Sequence, residues 1–216
     1  MKFDPVTLTV LKNFSIFYDA IYIKAGNELK VVSKHNTVLG IAKVPNTFTK
    51  DFGIYSISKF LGTLSLLKNP EVIFYDKYMT LSDDTNTAKF FYASEEMTSK
   101  KGDRIDIKDK SIQFKVTSSN MSDIEKAAGV LGHKEIIFMG DGEDVYLQAA
   151  TINHPTSSTF SIKVGKTDKK FKGVFSTENL KIIPGDYTVT MCLPNFAHFK
   201  GDYVEYYVVL NDSEDE

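Results

Sequence analysis

Apolar residues recur along this chain at two spacings. Just after Asp4-Pro5, a cap and a first-turn proline, Leu8, Leu11 and Phe14 fall on one face at three-residue steps, which predicts a helix. Ile124, Ala127, Ala128 and Leu131 behave alike behind Ser122 and Asp123, predicting a second such helix over 123–134. Elsewhere β-rich runs reach a glycine turn and return, the pattern of a hairpin.

These patterns come twice. Ile21-Tyr22-Ile23-Lys24-Ala25-Gly26-Asn27-Glu28-Leu29-Lys30-Val31 matches Ile137-Phe138-Met139-Gly140-Asp141-Gly142-Glu143-Asp144-Val145-Tyr146-Leu147, 116 residues on, in its apolar, aromatic, glycine and acidic positions. Gly53-Ile54-Tyr55-Ser56 followed by Phe60 returns as Gly173-Val174-Phe175-Ser176 followed by Leu180, now 120 residues on. Each copy reads as a strand entering a helix capped by its serine, an interaction worth about 1 kcal/mol against alanine. The growing offset places about four extra residues in the second copy, and the turn formers Asn153, His154, Pro155, Thr156 and Ser157 are where they belong.

The expected order is helix, strands, helix, strands, then the same again: an α+β chain of two similar domains, each with two helices packed on an antiparallel β-sheet. Ser94 to Lys110 is polar and charged, contains Gly102 and lacks periodicity. It is expected to be a linker between a domain over residues 1–93 and one over residues 111–210, with residues 211–216 an acidic tail.

Composition narrows the class. At 216 residues the chain has room for two domains of about 100, each able to bury a core. With 42% hydrophobic and 25% charged residues it is neither disordered nor fibrous. No apolar run approaches the roughly 20 residues of a membrane span, and Met1-Lys2-Phe3-Asp4-Pro5 lacks a signal-peptide core, so a soluble intracellular protein is expected. Cys192, the single cysteine, sits in an alternating strand pattern and is expected to be a small core thiol. The net charge is −2, but Asp212, Glu214, Asp215 and Glu216 leave the rest of the chain at +2, which argues neither for nor against nucleic acid.

Catalytic and metal signatures are not evident. Gly129-Val130-Leu131-Gly132-His133-Lys134 lacks the spacing and hydroxyl of a phosphate loop. Asp141-Gly142-Glu143-Asp144 lacks the rest of a calcium loop and coincides with a hairpin turn. Asp103, Asp106 and Asp109 alternate with lysine and isoleucine as an exposed linker does, and His35, His133, His154 and His198 make no metal-ligand pair. No catalytic residue, metal or cofactor is expected.

Leu11-Lys12-Asn13-Phe14, the Ile23-Lys24-Ala25-Gly26 turn, Ile54-Tyr55 leading to Phe60-Leu61-Gly62 and Leu64-Ser65-Leu66, Pro184-Gly185-Asp186-Tyr187 and Tyr207-Val208-Val209 together resemble the sliding clamps of T-even-type tailed bacteriophages. The resemblance rests on ordered spacing across nearly the whole chain. It implies the DNA-clamp fold, with three chains forming a homotrimeric ring of six units whose helices face the hole. It also implies a processivity factor that encircles duplex DNA without sequence preference, tethers the replicative DNA polymerase, is opened by an ATP-driven clamp loader, supports late transcription, acts in the host cell cytoplasm and performs no covalent chemistry.

A sliding tether should touch phosphates through cations and avoid reading base edges. The expected helices carry Lys12; Lys59 and Lys68; Lys126 and Lys134; and Lys181, with Lys2 just ahead of the first. Their acids, Asp4, Asp123, Glu125 and Glu178, cluster at helix starts where the dipole favours them. Solvated helix faces carry lysines too, so spacing alone leaves both readings open.

Ring closure has candidates in two runs with strand character: Thr87, Lys89, Phe90, Phe91 and Tyr92 in the first unit, and Thr159, Phe160, Ser161, Ile162, Lys163 and Val164 in the second. Paired between chains, they would close head to tail; internal strands are the alternative. For a groove taking partner peptides the candidates are Ile105 and Ile107 in the linker and Tyr206, Val208 and Leu210 near the end, which as core residues would read no differently. Two other classes stay open on these residues: a virion-associated structural oligomer and a β-rich enzyme with a dispersed site.

Overall fold

The computed structural model describes residues 1–100, 102–152, 154 and 156–211. The chain divides into two compact units, residues 1–104 and residues 105 onward.

The first unit opens with α1 (Pro5–Phe17), whose start is set by Asp4: its carboxylate accepts from Val6 N at 2.8 Å, ahead of a first-turn proline. Val10, Leu11, Phe14 and Phe17 are buried, while Thr9, Lys12 and Ile16 face outward. Then come β1 (Ile21–Ile23), β2 (Gly26–Val32), β3 (Val38–Phe48), β4 (Phe52–Ile54), α2 (Ile57–Ser65), β5 (Glu71–Phe74), β6 (Tyr78–Ser82) and β7 (Thr87–Phe91). All pairing is antiparallel: β1 with β4, β2 with β3, and a sheet ordered β5-β6-β7.

The hairpin expected over Ile21 to Val31 therefore does not form as such. Ala25 N is tied to the Asp51 carboxylate at 2.7 Å and Gly26 takes φ +120°, a conformation suited to glycine, so the chain leaves β1 and pairs onward with β3. At α2, Ser56 caps as expected, its Oγ accepting from Lys59 N at 3.2 Å. Asp19, 37 residues earlier, braces that cap. Its carboxylate accepts from Ser56 Oγ at 2.7 Å, Ser58 N at 2.8 Å and Ser58 Oγ at 2.6 Å.

The segment expected to be a linker begins as part of this unit. Ala93 bridges to Gly53, Glu95–Met97 form one 3-10 turn, Asp103 lies 3.0 Å from Lys30 Nζ, and Arg104 lies 2.7 Å from Glu28.

The second unit contains β8 (Gln113–Val116), α3 (Ser118–Leu131), β9 (Glu135–Asp141), β10 (Asp144–Ala149), β11 (Phe160–Lys166), β12 (Lys170–Ser176), β13 (Tyr187–Cys192), β14 (Phe196–Lys200) and β15 (Val204–Val209). They form a sheet ordered β11-β10-β9-β12 and a run ordered β15-β14-β13-β8, all antiparallel. Here the predicted β9–β10 hairpin does form, turning through Gly142 at φ +100°. Phe138, Phe175 and Phe199 pack edge on or tilted at 4.8–6.0 Å in the core.

Three expectations need correction. First, α3 begins five residues before Asp123, because Thr117 and Asn120 form a reciprocal capping box, and Gly132 at φ +73° ends it before Lys134. Second, no helix follows Ser176. Glu178 N and Asn179 N bond to Ser176, but the turn stops there, leaving three α-helices among the described residues. Only seven residues separate Ser176 from Pro184, the residue before a proline is steered away from helical geometry, and Leu180, Ile182 and Ile183 are all buried. Third, Cys192 is half-buried at the last residue of β13 instead of in the core. Asn153 and Pro155 of the expected insertion, and residues 212–216 of the expected tail, lie outside the described residues.

Candidate nucleic-acid interface and partner cleft

Three of the seven candidate lysines stand on helices: Lys12 on α1, Lys59 on α2 and Lys126 on α3, all exposed. Lys68 lies past the end of α2, its backbone N held at 2.8 Å by Asp83, which also accepts from Thr85 N and Asn86 N. Those donors hold the Asp83 carboxyl well below the usual range. Lys2 precedes α1, Lys134 sits between α3 and β9, and Lys181 lies in the turn that replaces the fourth helix, 3.3 Å from Glu178. Lys2 was expected just ahead of the first helix; the other three were expected on helices and fall outside them because α2 ends at Ser65, α3 at Leu131 and no fourth helix forms.

The outward faces of α1 and α2 are sparsely charged, whereas α3 exposes Asp123 and Glu125 beside Lys126. Thr9 and Ile16 flank Lys12, Ser58 and Gly62 flank Lys59, and Gly129 and Val130 follow Lys126. The Thr9, Ser15, Thr63 and Ser65 hydroxyls donate to carbonyls of their own helices at 2.7–2.9 Å.

Both candidate interface strands lie at sheet edges. β7 ends the three-stranded sheet, with Thr87, Lys89 and Phe91 exposed and Phe90 and Tyr92 half-buried. Lys89 Nζ lies 3.9 Å from the Tyr78 ring centroid, and Tyr78 stacks on Tyr75 at 4.7 Å. β11 ends the four-stranded sheet, preceded by exposed Thr159; Phe160, Ser161 and Lys163 are exposed, and Ile162 and Val164 half-buried. Lys163 and Lys166 both reach Asp144, at 2.6 and 2.9 Å, and their hydrogen bonds hold that carboxyl below its ordinary range.

The peptide-groove residues divide. Ile105 is exposed and Ile107 half-buried, and both line a cleft of about 670 Å³ in the second unit. Tyr206 and Val208 have no exposure and Leu210 is buried. Strand alternation puts Val204, Tyr206 and Val208 on the core face and Glu205, Tyr207 and Val209 on the other, so the expectation was one residue out of phase. Tyr206 Oη accepts from Ile183 N at 3.2 Å, inside the core.

The cleft floor is instead the other face of β8, β13, β14 and β15. Register aligns Gln113, Thr190, His198 and Tyr207 in one row, and Lys115, Thr188, Lys200 and Glu205 in the next. Gln113 Nε2 donates to Thr190 Oγ1 at 3.0 Å. His198 Nε2 lies 2.8 Å from Glu205 Oε2, the same oxygen receives the Tyr207 hydroxyl at 3.3 Å, and the imidazole stacks on Tyr207 at 4.5 Å and 19°. Burial pulls the His198 pKa below its ordinary value despite the upward pull of Glu205. Sequence reasoning passed over His198 and Tyr207. The available signal was the period-two partner of the apolar face in Phe196-Ala197-His198-Phe199-Lys200.

Residues 104–212 match the model of the gp45 sliding clamp family, C-terminal part. The sliding clamp of Vibrio phage KVP40 is 27% identical over 216 residues, covering 96% of this chain and 98% of the relative. That of Enterobacteria phage T4 is 24% identical over 227 residues, covering 97% and 96%. Among solved structures, PCNA of A. fulgidus, bound to the C-terminal region of FEN-1, superposes with a TM-score of 0.74 at 14% identity, covering 97% of this chain and 96% of that one. PCNA of Thermococcus kodakaraensis gives 0.72 at 13% identity, covering 97% and 98%. A duplicated α+β chain with an edge strand in each unit, matched over the whole of its second unit's described residues, belongs to the gp45 sliding clamp family.

Proposed function

We propose that three copies of this chain close head to tail, β7 of one against β11 of the next, into a ring that encircles duplex DNA in the host cell. The chain is a sliding clamp, a processivity factor of DNA replication. The observation that carries the ring is the pair of strand edges, one in each unit, both rich in β-branched or aromatic residues. A heterologous pairing joins these two edges and leaves neither of them unpaired once rotation closes.

In this reading Lys12, Lys59 and Lys126 meet phosphates from the helices, and Lys2, Lys68, Lys134 and Lys181 add charge around them. The hydroxyls and small residues between them offer DNA little to grip, as sliding requires. The clamp performs no covalent step; it keeps the replicative polymerase on its template. An ATP-driven loader would open one edge pairing, and late transcription factors would share the polymerase's docking place. The cleft edged by Ile105 and Ile107 is that place. In support, A. fulgidus PCNA is a fold neighbour solved with a C-terminal region of another protein bound to it.

Native mass measurement combined with electron microscopy tests the ring: a three-chain particle with an open centre is expected. A particle that remains monomeric at concentrations where it stimulates its polymerase would sink the proposal.

A further inference from the structure

β7 and β11 end their sheets in the same side-chain and backbone phase. In β7, Ala88 and Phe90 pair with the buried Leu81 and Met79, while Thr87, Lys89 and Phe91 stand on the opposite, exposed face. In β11, Phe160 and Ile162 pair with the buried Ala149 and Leu147, while Ser161 and Lys163 lie beside Gln148 and Tyr146 on the opposite face. Tyr92 N bonds to Lys77 O and Asp83 N to Asn86 O, in register with β6. By alternation Ala88 and Phe90 commit their backbone groups to β6, and Thr87, Lys89 and Phe91 keep theirs at the edge. Thr167 N bonds to Glu143 O, which likewise commits Phe160 and Ile162 to β10 and leaves Thr159, Ser161 and Lys163 at the edge.

When two such edges meet antiparallel, backbone groups bond only where an edge-facing residue of one strand lies opposite an edge-facing residue of the other. The bulge past Lys163 sets Gly165 against Val145 and breaks the alternation, so Lys89 can face Thr159, Ser161 or Lys163. Facing Thr159 would leave Phe90 opposite Ser158 and Phe91 opposite Ser157, both outside β11. Facing Lys163 would set two ammonium groups directly opposite, which destabilises a strand pair, and would put Thr87 against Gly165. Facing Ser161 keeps the lysines apart and aligns Phe90 with Phe160, Ala88 with Ile162, Thr87 with Lys163 and Phe91 with Thr159.

We infer that Lys89 and Lys163 are the register-determining residues of the junction between copies: their repulsion excludes the two-residue slip, and β7 joins the next chain's β11 with Lys89 opposite Ser161. This rests on the edge pairing proposed above. Each lysine is already held by its own chain, Lys89 Nζ 3.9 Å from the Tyr78 ring centroid and Lys163 Nζ 2.6 Å from Asp144, so neither needs a partner across the junction. The core faces of the two sheets then continue into one another. Phe90, 5.6 Å from Phe60 of α2, meets Phe160 on the side where α3 packs against β11. A like-charge pair directly opposite lowers the slipped population by up to about fivefold at each junction.

Disulfide cross-linking of the full chain, with Cys192→Ser to remove the native thiol, reads the register while both lysines stay in place. Residues directly opposite in such a pair have Cα atoms about 5.5 Å apart, within disulfide reach, and a two-residue slip moves them a further ~6.7 Å along the strand, beyond it. Phe91→Cys with Thr159→Cys is expected to give covalent three-chain rings on a non-reducing gel, and Phe91→Cys with Ser161→Cys about fivefold less product. All three positions are exposed, so the fold tolerates them. Adding Lys89→Thr to the second pair is expected to raise its yield by up to about fivefold, since nothing charged then opposes Lys163. Better cross-linking of the Ser161 pair than of the Thr159 pair would overturn the register and leave the ring standing. An unchanged yield with Lys89→Thr would show that Lys89 does not set the register. If neither pair cross-links, native mass separates the causes: single chains refute the ring and this inference with it, whereas a three-chain particle shows that other edges join the copies.

Discussion

Replacing Tyr206 with phenylalanine separates core from cleft on a single oxygen atom. The Tyr206 ring is fully buried beside Tyr187, and its hydroxyl accepts from Ile183 N, itself buried. Tyr206→Phe leaves the ring in place and the Ile183 N–H without that acceptor. Stranding a buried donor costs about 1–3 kcal/mol, and losing one hydroxyl oxygen opens little cavity to add to it. Burial pushes the phenol well above its ordinary value, so the same loss is expected throughout the neutral range. Urea unfolding at fixed protein concentration should show a lower midpoint with unchanged slope, because the surface exposed on unfolding is nearly the same. Polymerase affinity, measured below the transition, should match the wild type. Unchanged stability together with lost binding would refute the assignment and return Tyr206 to the partner groove.

Other perturbations probe the remaining elements. Reversing Lys12, Lys59, Lys68 and Lys126 to glutamate should abolish DNA-dependent polymerase stimulation, and each phosphate left without its lysine should flatten the log affinity against log salt slope by about 0.9; retained stimulation would remove these lysines from the DNA path. Phe91→Asp and Phe160→Asp, at exposed edge positions, should each weaken assembly by at least about tenfold in sedimentation, roughly 1.4 kcal/mol, and an unaltered trimer would rule out those edges. Asp19→Asn tests the brace on α2. Burial raises the Asp19 pKa, but hydrogen bonds from Ser58 and Ser56 outweigh it and hold the group below 3.8. Its contribution is thus complete above pH 3.8 and lost as pH falls through the lower folded value, so wild-type stability should drop more steeply in acid than the variant's. Parallel acid unfolding curves would remove Asp19 from the account.

Local signals were readable where one short segment decides the outcome. Asp4-Pro5 and Ser56 announce α1 and α2 because a cap needs only the next turn. The same reasoning failed at Ser176, which keeps its hydrogen bond while Pro184 and two adjacent buried isoleucines end the turn. It failed at Thr117 as well, where the box closes with Asn120 in place of the more usual Glu or Gln. The Asp19 brace was illegible because its partners lie 37 and 39 residues away. The cleft was misplaced by one residue along β15: in a strand where Tyr206, Tyr207 and Val208 are all buried, hydrophobicity does not say which face is the core.

β14 has aromatic core on one side and the cleft on the other, Phe199 packed against Phe138, Phe175 and Tyr187 while its neighbours His198 and Lys200 look the opposite way. Selection can act on the two faces almost independently. With the cleft as the proposed docking place, a lineage that changes polymerase is free to rewrite Gln113, Thr190, His198 and Lys200 without disturbing the packing behind them. Divergence among relatives should therefore run faster at these positions than at the alternate residues of the same strands, so that one sheet carries both a conserved and a drifting record.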